Sequence, residues 1–219
     1  GYQAMGTGVT TGDDNIAIGQ LAGNDLTSGG GNVLIGKSAG ENQTTPNDNV
    51  AIGNGCMALG TVTGGDNVIV GRRTAEDLTS GTYNVILGDM AGLNATSFLQ
   101  NVVIGKNALG AGVATGESNV VIGFEAGEDI TNSESAVYIG AGAGKQHTSS
   151  GHSVIIGHDA GGSGIGTGQG SVLVGKKAGK DLTSGADNIC IGHSSGEAMT
   201  TGSQNIAIGF QATQLGVTT

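Results

Sequence analysis

The stretch Asn49-Val50-Ala51-Ile52-Gly53 decides the fold, because the chain is built by repeating it. Twelve variants close at Gly19, Gly36, Gly53, Gly71, Gly88, Gly105, Gly123, Gly140, Gly157, Gly175, Gly192 and Gly209. Successive spacings run 17, 17 and 18 residues, and this 52-residue set occurs four times. A fixed short period marks a repeat architecture, in which each repeat packs on its neighbours.

The residue three before each closing glycine is Val or Ile, and the residue one before it is aliphatic. Positions two apart share one face of a strand, and β-branched side chains suit that pleated surface. The pattern predicts a short strand in every repeat, with Val33, Ile35, Val50, Ile52, Val102, Ile104, Val154, Ile156, Ile189 and Ile191 as structural core. The residue between them points the opposite way. It too is mostly apolar, as at Leu34, Ala51, Ile69 and Ile155. Strands apolar on both faces are normally covered on both. One face is therefore expected to line an interior and the other to meet a second layer, most simply another copy of the chain.

Four residues before the glycine stands Asn15, Asn32, Asn49, Asn67, Asn84, Asn101, Asn119, Asn188 or Asn205, with Ala136, Ser153 and Ser171 elsewhere. Asn tolerates unusual backbone angles, and stacked coil on coil it forms an amide ladder. The third residue after the glycine is small, mostly Ala, which lets the returning backbone approach closely. A glycine often follows, as at Gly23 and Gly40, then a Thr/Ser/Gly corner such as Leu26-Thr27-Ser28-Gly29. Residues 1–219 are thus expected to be one repetitive segment, excerpted from a longer fibre. The expected fold is all-β: a parallel β-solenoid, roll or helix, of twelve 17–18-residue coils in four 52-residue units. At the usual strand spacing twelve coils span about 58 Å.

Two accounts fit the 52-residue superperiod. Three coils were duplicated together, or 52 residues complete one circuit of a three-sided structure. Asp25, Asp77, Asp129 and Asp181 recur at that interval. In the second account they would stack at about 4.8 Å and repel without a cation. The first is preferred.

Composition narrows the function. Of 219 residues 45 are Gly, none is Trp, and formal net charge is −10. An acidic chain without a basic stripe repels nucleic acid and anionic membranes. No apolar run reaches the ~18 residues a membrane helix needs, so no membrane insertion is expected. Cys56 and Cys190 sit at unrelated repeat positions and define no disulfide framework. His147, His152, His158 and His193 form no zinc spacing. No catalytic set emerges and no cofactor is expected. Calcium is the one ion with candidate ligands, the weak set Asp25, Asp77, Asp129 and Asp181, and solvated turn residues are the competing account. A threonine row could order ice, but it wanders between two positions.

The Asn-x-x-Ile-Gly-x-x-Ala-Gly-x-x-Leu-Thr-Ser-Gly pattern resembles glycine-rich repeats of bacteriophage tail fibres. The Asn49–Gly53 motif also resembles the head repeat of trimeric autotransporter adhesins. The resemblance implies a parallel β-roll and a homotrimer at a cell surface or on a virion. The expected function is a non-catalytic fibre or adhesin shaft that spaces or presents a receptor-binding tip. Receptor or glycan contacts would then fall to other domains. The alternatives are a filament subunit polymerising end to end through open strand edges and, less favoured, a monomeric ice- or glycan-binding module.

Overall fold

The computed structural model describes residues 1–6, 11–112, 114–163 and 166–213. The corner stretches Met5 to Val9, Leu109 to Val113 and Gly161 to Ile165 lie partly outside them. The chain divides into two compact units, Gly1–Thr115 and Gly116–Thr219.

The first unit holds β1 (Ile16–Ile18), β2 (Val33–Ile35), β3 (Val50–Ile52), β4 (Val68–Val70), β5 (Val85–Leu87) and β6 (Val102–Ile104). The second holds β7 (Val120–Ile122), β8 (Val137–Ile139), β9 (Val154–Ile156), β10 (Val172–Val174), β11 (Ile189–Ile191) and β12 (Ile206–Ile208). Within each unit every strand pairs in parallel with the next, one three-residue strand per repeat. The fold is an all-β solenoid, with no helix among the described residues. The 18-residue repeats keep the register of the others. Val50, Ala51 and Ile52 sit opposite Val68, Ile69 and Val70, so the extra residue is absorbed in a corner and not in the strand.

Consecutive repeats therefore stack, and the three-sided circuit is excluded within each unit. Asp25 and Asp77 lie three coils apart, as do Asp129 and Asp181. That separation is about 14 Å at the usual strand spacing.

Backbone geometry limits each strand to three residues. The closing glycines adopt φ between 119° and 143°, which L side chains rarely adopt. A Cβ on Gly53 would meet the Gly71 carbonyl oxygen at 2.0 Å. At the other end the left-handed residue is not the asparagine, as its reputation suggested, but the residue before it: Asp48 (φ 56°), Asp66 (φ 60°) and Gln100 (φ 58°).

The interior corrects the core assignment. Leu34, Ala51, Ile69, Ile86 and Val103 are fully buried in the first unit, and Val121, Tyr138, Ile155, Leu173 and Cys190 in the second. The middle strand residue thus faces inward. Val33, Ile35, Val50, Ile52, Val102, Ile104, Val154, Ile156 and Ile189 are only half-buried, and Ile191 is exposed. They stand on the outer face, covered in part by the same positions of adjacent coils. The small residues after each glycine, such as Ala39, Cys56 and Ala91, complete the interior with corner residues Leu26, Leu78, Ile130 and Leu182. This leaves a core too thin for a second row of Val and Ile.

Candidate interaction face

The outer sheet face carries two columns of aliphatic side chains, one on each side of the inward residue. They are most open in the end strand β1, where Ile16 is 50% exposed and Ile18 58%, and Val68 is 41% exposed between its neighbours. No charge enters these columns in either unit. Contiguous exposed apolar surface on a folded protein marks an interaction site.

Two further columns border this face. On the N-terminal side, the left-handed position holds exposed Asp14, Asp48 and Asp66 in the first unit. In the second unit it holds exposed Asp187, and Glu117 and Glu134 stand one residue earlier in their repeats. No Lys or Arg occupies either of these positions. On the C-terminal side, the residue after the closing glycine is Gln20, Lys37, Asn54, Arg72, Asp89 or Lys106 in the first unit, and in the second this column includes Lys176; the four basic residues are exposed. Arg72 also binds Asp89 of the next coil at 2.8 Å. Exposed Phe124 and Phe210 share this column, and the Phe210 ring stacks on His193 at 5.4 Å.

The asparagines turn inward and form the ladder. Asn67 donates Nδ2 to Asn49 Oδ1 (2.9 Å) and to the Gly81 carbonyl (2.9 Å). Asn32 reaches Asn15 Oδ1 by Nδ2 at 3.0 Å, and Asn84 Oδ1 accepts the Asn101 N–H at 3.0 Å. In the second unit Asn119 Oδ1 accepts the Ala136 N–H, and Asn188 Oδ1 accepts the Asn205 N–H, each at 3.0 Å. Ser171 Oγ accepts the Asn188 N–H at 3.2 Å, a shorter version of the same rung. The corner threonines act alike. Thr27, Thr79 and Thr183 each donate Oγ1 to the next coil's Thr44, Thr96 or Thr200 carbonyl at 2.8 Å. Their hydroxyls serve the backbone, as turn threonines commonly do.

Asp25, Asp77, Asp129 and Asp181 are half-buried corner residues in separate coils. Asp77 has its carboxyl raised by burial and by the neighbouring Glu76. Among the described residues no three His, Cys, Asp or Glu side chains gather as a metal site. Of the histidines, His147 is buried and binds Ser150 Oγ through Nδ1 at 2.7 Å. Burial pushes its imidazole down to about 4. The buried Tyr138 hydroxyl meets the same Ser150 Oγ (2.8 Å) and Ser133 Oγ (3.1 Å). This polar knot was not foreseen. The signal was available in Ser133 and Ser150, small polar residues in the coils beside an oversized interior Tyr. A shallow polar depression of about 170 Å³ opens near it, lined by Asn132, Glu134, Ser149, Gly151, His152 and Gln169.

No family model matches the chain, and no curated protein or solved structure matches it. Among the described residues no helix is long and apolar enough to cross a membrane.

Proposed function

We propose that this chain is a non-catalytic structural segment of an extracellular or virion fibre, in which copies associate side by side, three together, through the outer sheet face. The observation that carries the proposal is the outward double column of Val and Ile, free of charge and incompletely covered by the chain itself. Aliphatic burial contributes about 25 cal/mol per Å², and a face of this kind gains it only against another apolar surface. A second copy offers such a surface at the same coil spacing. The role is mechanical. Main-chain ladders, asparagine rungs and a thin aliphatic interior resist local opening, and the segment spaces or presents a receptor-binding tip carried elsewhere.

Light scattering across a concentration range tests it. A constant mass near three times 21.3 kDa supports the fibre segment. A mass of one chain at all concentrations overturns it. Mass that grows steadily with concentration replaces it with end-to-end polymerisation.

A further inference from the structure

We propose that Asn54 is a deamidation site, closed in the folded coil and opened with it, whose aspartate product completes an alternating charge ladder along the first unit. The inference stands on contacts within one chain and needs no association.

Asn54-Gly55 is the one Asn-Gly pair in the chain. In such a pair the Gly main-chain nitrogen, unhindered by a Cβ, can attack the Asn Cγ. The new N–C bond closes a succinimide, and the side-chain nitrogen leaves as ammonia. Water then opens the ring. Cleavage of the new bond gives aspartate, and cleavage of the original peptide bond gives isoaspartate.

The folded coil holds this reaction back. The Asn54 side chain is exposed, but Gly55 is buried. The Gly55 N–H donates to the Lys37 carbonyl, and the Asn54 carbonyl accepts the Arg73 N–H, each at 2.9 Å. These two rungs grip one peptide group from opposite coils. The attacking nitrogen must lose the proton that the first rung holds. Ring closure must also rotate the peptide plane that both rungs fix. Reaction therefore waits on local opening of the coil.

The product fits the stack. The same main-chain rungs run from Lys37 to Asn54, Arg72 and Asp89 and on to the coil of Lys106. These five residues thus occupy one column in successive coils. Arg72 already binds Asp89 at 2.8 Å. Asn54 is the one neutral member, and among the described residues no salt bridge reaches Lys37. Aspartate at this position stands one coil from Lys37 and one coil from Arg72, about 4.8 Å each way. Charge then alternates over all five coils, and opposite charges stacked at strand spacing attract. Isoaspartate gains nothing, because its extra main-chain carbon misaligns both rungs.

Two measurements on the full chain test this. In the first, the chain is held in mildly alkaline buffer, folded or in guanidinium, and peptide mapping by mass spectrometry follows every asparagine. Asn54 should convert first in denaturant, and at least about tenfold more slowly in the folded chain. Equal rates in the two states overturn the protection. Another asparagine reacting first in denaturant overturns the site. In the second, thermal midpoints of Asn54→Asp and Asn54→Ser are compared, with strand content checked by circular dichroism. At about 0.05 M salt the aspartate variant should melt on the order of 2 °C higher. The gain should shrink at about 1 M salt, where the Debye length is about 3 Å. It should also vanish in a Lys37→Gln, Arg72→Gln background. A midpoint for Asn54→Asp at or below that of Asn54→Ser, or a gain that survives in that background, overturns the ladder.

Discussion

The Oδ1 of Asn67 accepts two hydrogen bonds from Asn84, one coil along: from its backbone N–H at 3.0 Å and from its Nδ2 at 2.9 Å. One side chain thereby satisfies a main-chain donor at the mouth of the next strand and passes the pattern on. Both residues are fully buried, so no solvent replaces the bond if it is lost.

Asn67→Ala should therefore destabilise the chain by roughly 3 kcal/mol, because it leaves the Asn84 N–H and the Gly81 carbonyl without their partner. Asn67→Ser should cost less, since Ser153 and Ser171 accept the following N–H at 3.2 Å in the same column. Guanidinium denaturation reads both. A loss below about 0.5 kcal/mol for the alanine variant would show that the ladder does not hold the coils.

The closing glycines give a paired experiment. A Cβ on Gly53 would stand 2.0 Å from the Gly71 carbonyl oxygen, whereas one on Gly209 would meet nothing within 4 Å. Both have left-handed φ, 143° and 119°. Gly209→Ala should then cost only backbone strain, on the order of 1–3 kcal/mol. Gly53→Ala should cost clearly more, or prevent folding. Equal thermal midpoints for the two variants would refute the close stacking of coils.

The stacking itself was legible in the sequence, because the period and the paired aliphatic positions leave little else to build. The direction of the faces was not. Both rows are apolar, so alternation alone cannot say which one turns inward. Size variation could have said. The inward row runs from Ala51 to Tyr138, each fitted to its coil: Tyr138 sits among Ser133 and Ser150, and Cys190 beside Met199. A confined interior demands such compensation. The outward row varies far less, being Val or Ile at every position but Leu87. The charged borders were equally hidden, since residues such as Asp48 and Asp66 lie in different repeats and align only after stacking.

His147 makes stability depend on pH. Its imidazole falls from 6.5 to about 4 in the folded chain because burial disfavours the charged form. The unfolded chain therefore binds the extra proton first. Stability from this group is complete above pH 6.5, declines as pH falls toward 4, and changes no further below that. The full effect is roughly 3 kcal/mol. His147→Leu, which copies Leu26, Leu78 and Leu182 at the same coil position, should flatten the profile between pH 7 and 4. Identical profiles for the two chains would contradict the burial of this side chain.

The cysteines should be silent in the folded state. Both are buried, and burial pushes the Cys56 thiol up to about 12 and the Cys190 thiol up to about 11. Thiolate, the reactive form, is then scarce at neutral pH. Intact-mass analysis after iodoacetamide should show no adduct in native buffer and two in denaturant. Rapid native labelling at Cys56 would mean that its coil opens readily.

The central claim is that the middle strand residues, Leu34 through Cys190, fill the solenoid while the flanking aliphatic columns are covered by other copies. Its most direct test is the solution mass of the wild-type chain beside a chain carrying Ile35→Lys and Ile52→Lys, each checked for strand content by circular dichroism. The account predicts a wild type at three times 21.3 kDa and a variant at 21.3 kDa, both with the same strand signal. A variant that unfolds would put Ile35 and Ile52 in the interior after all. A variant that keeps the wild-type mass would contradict the claim that this face joins the copies.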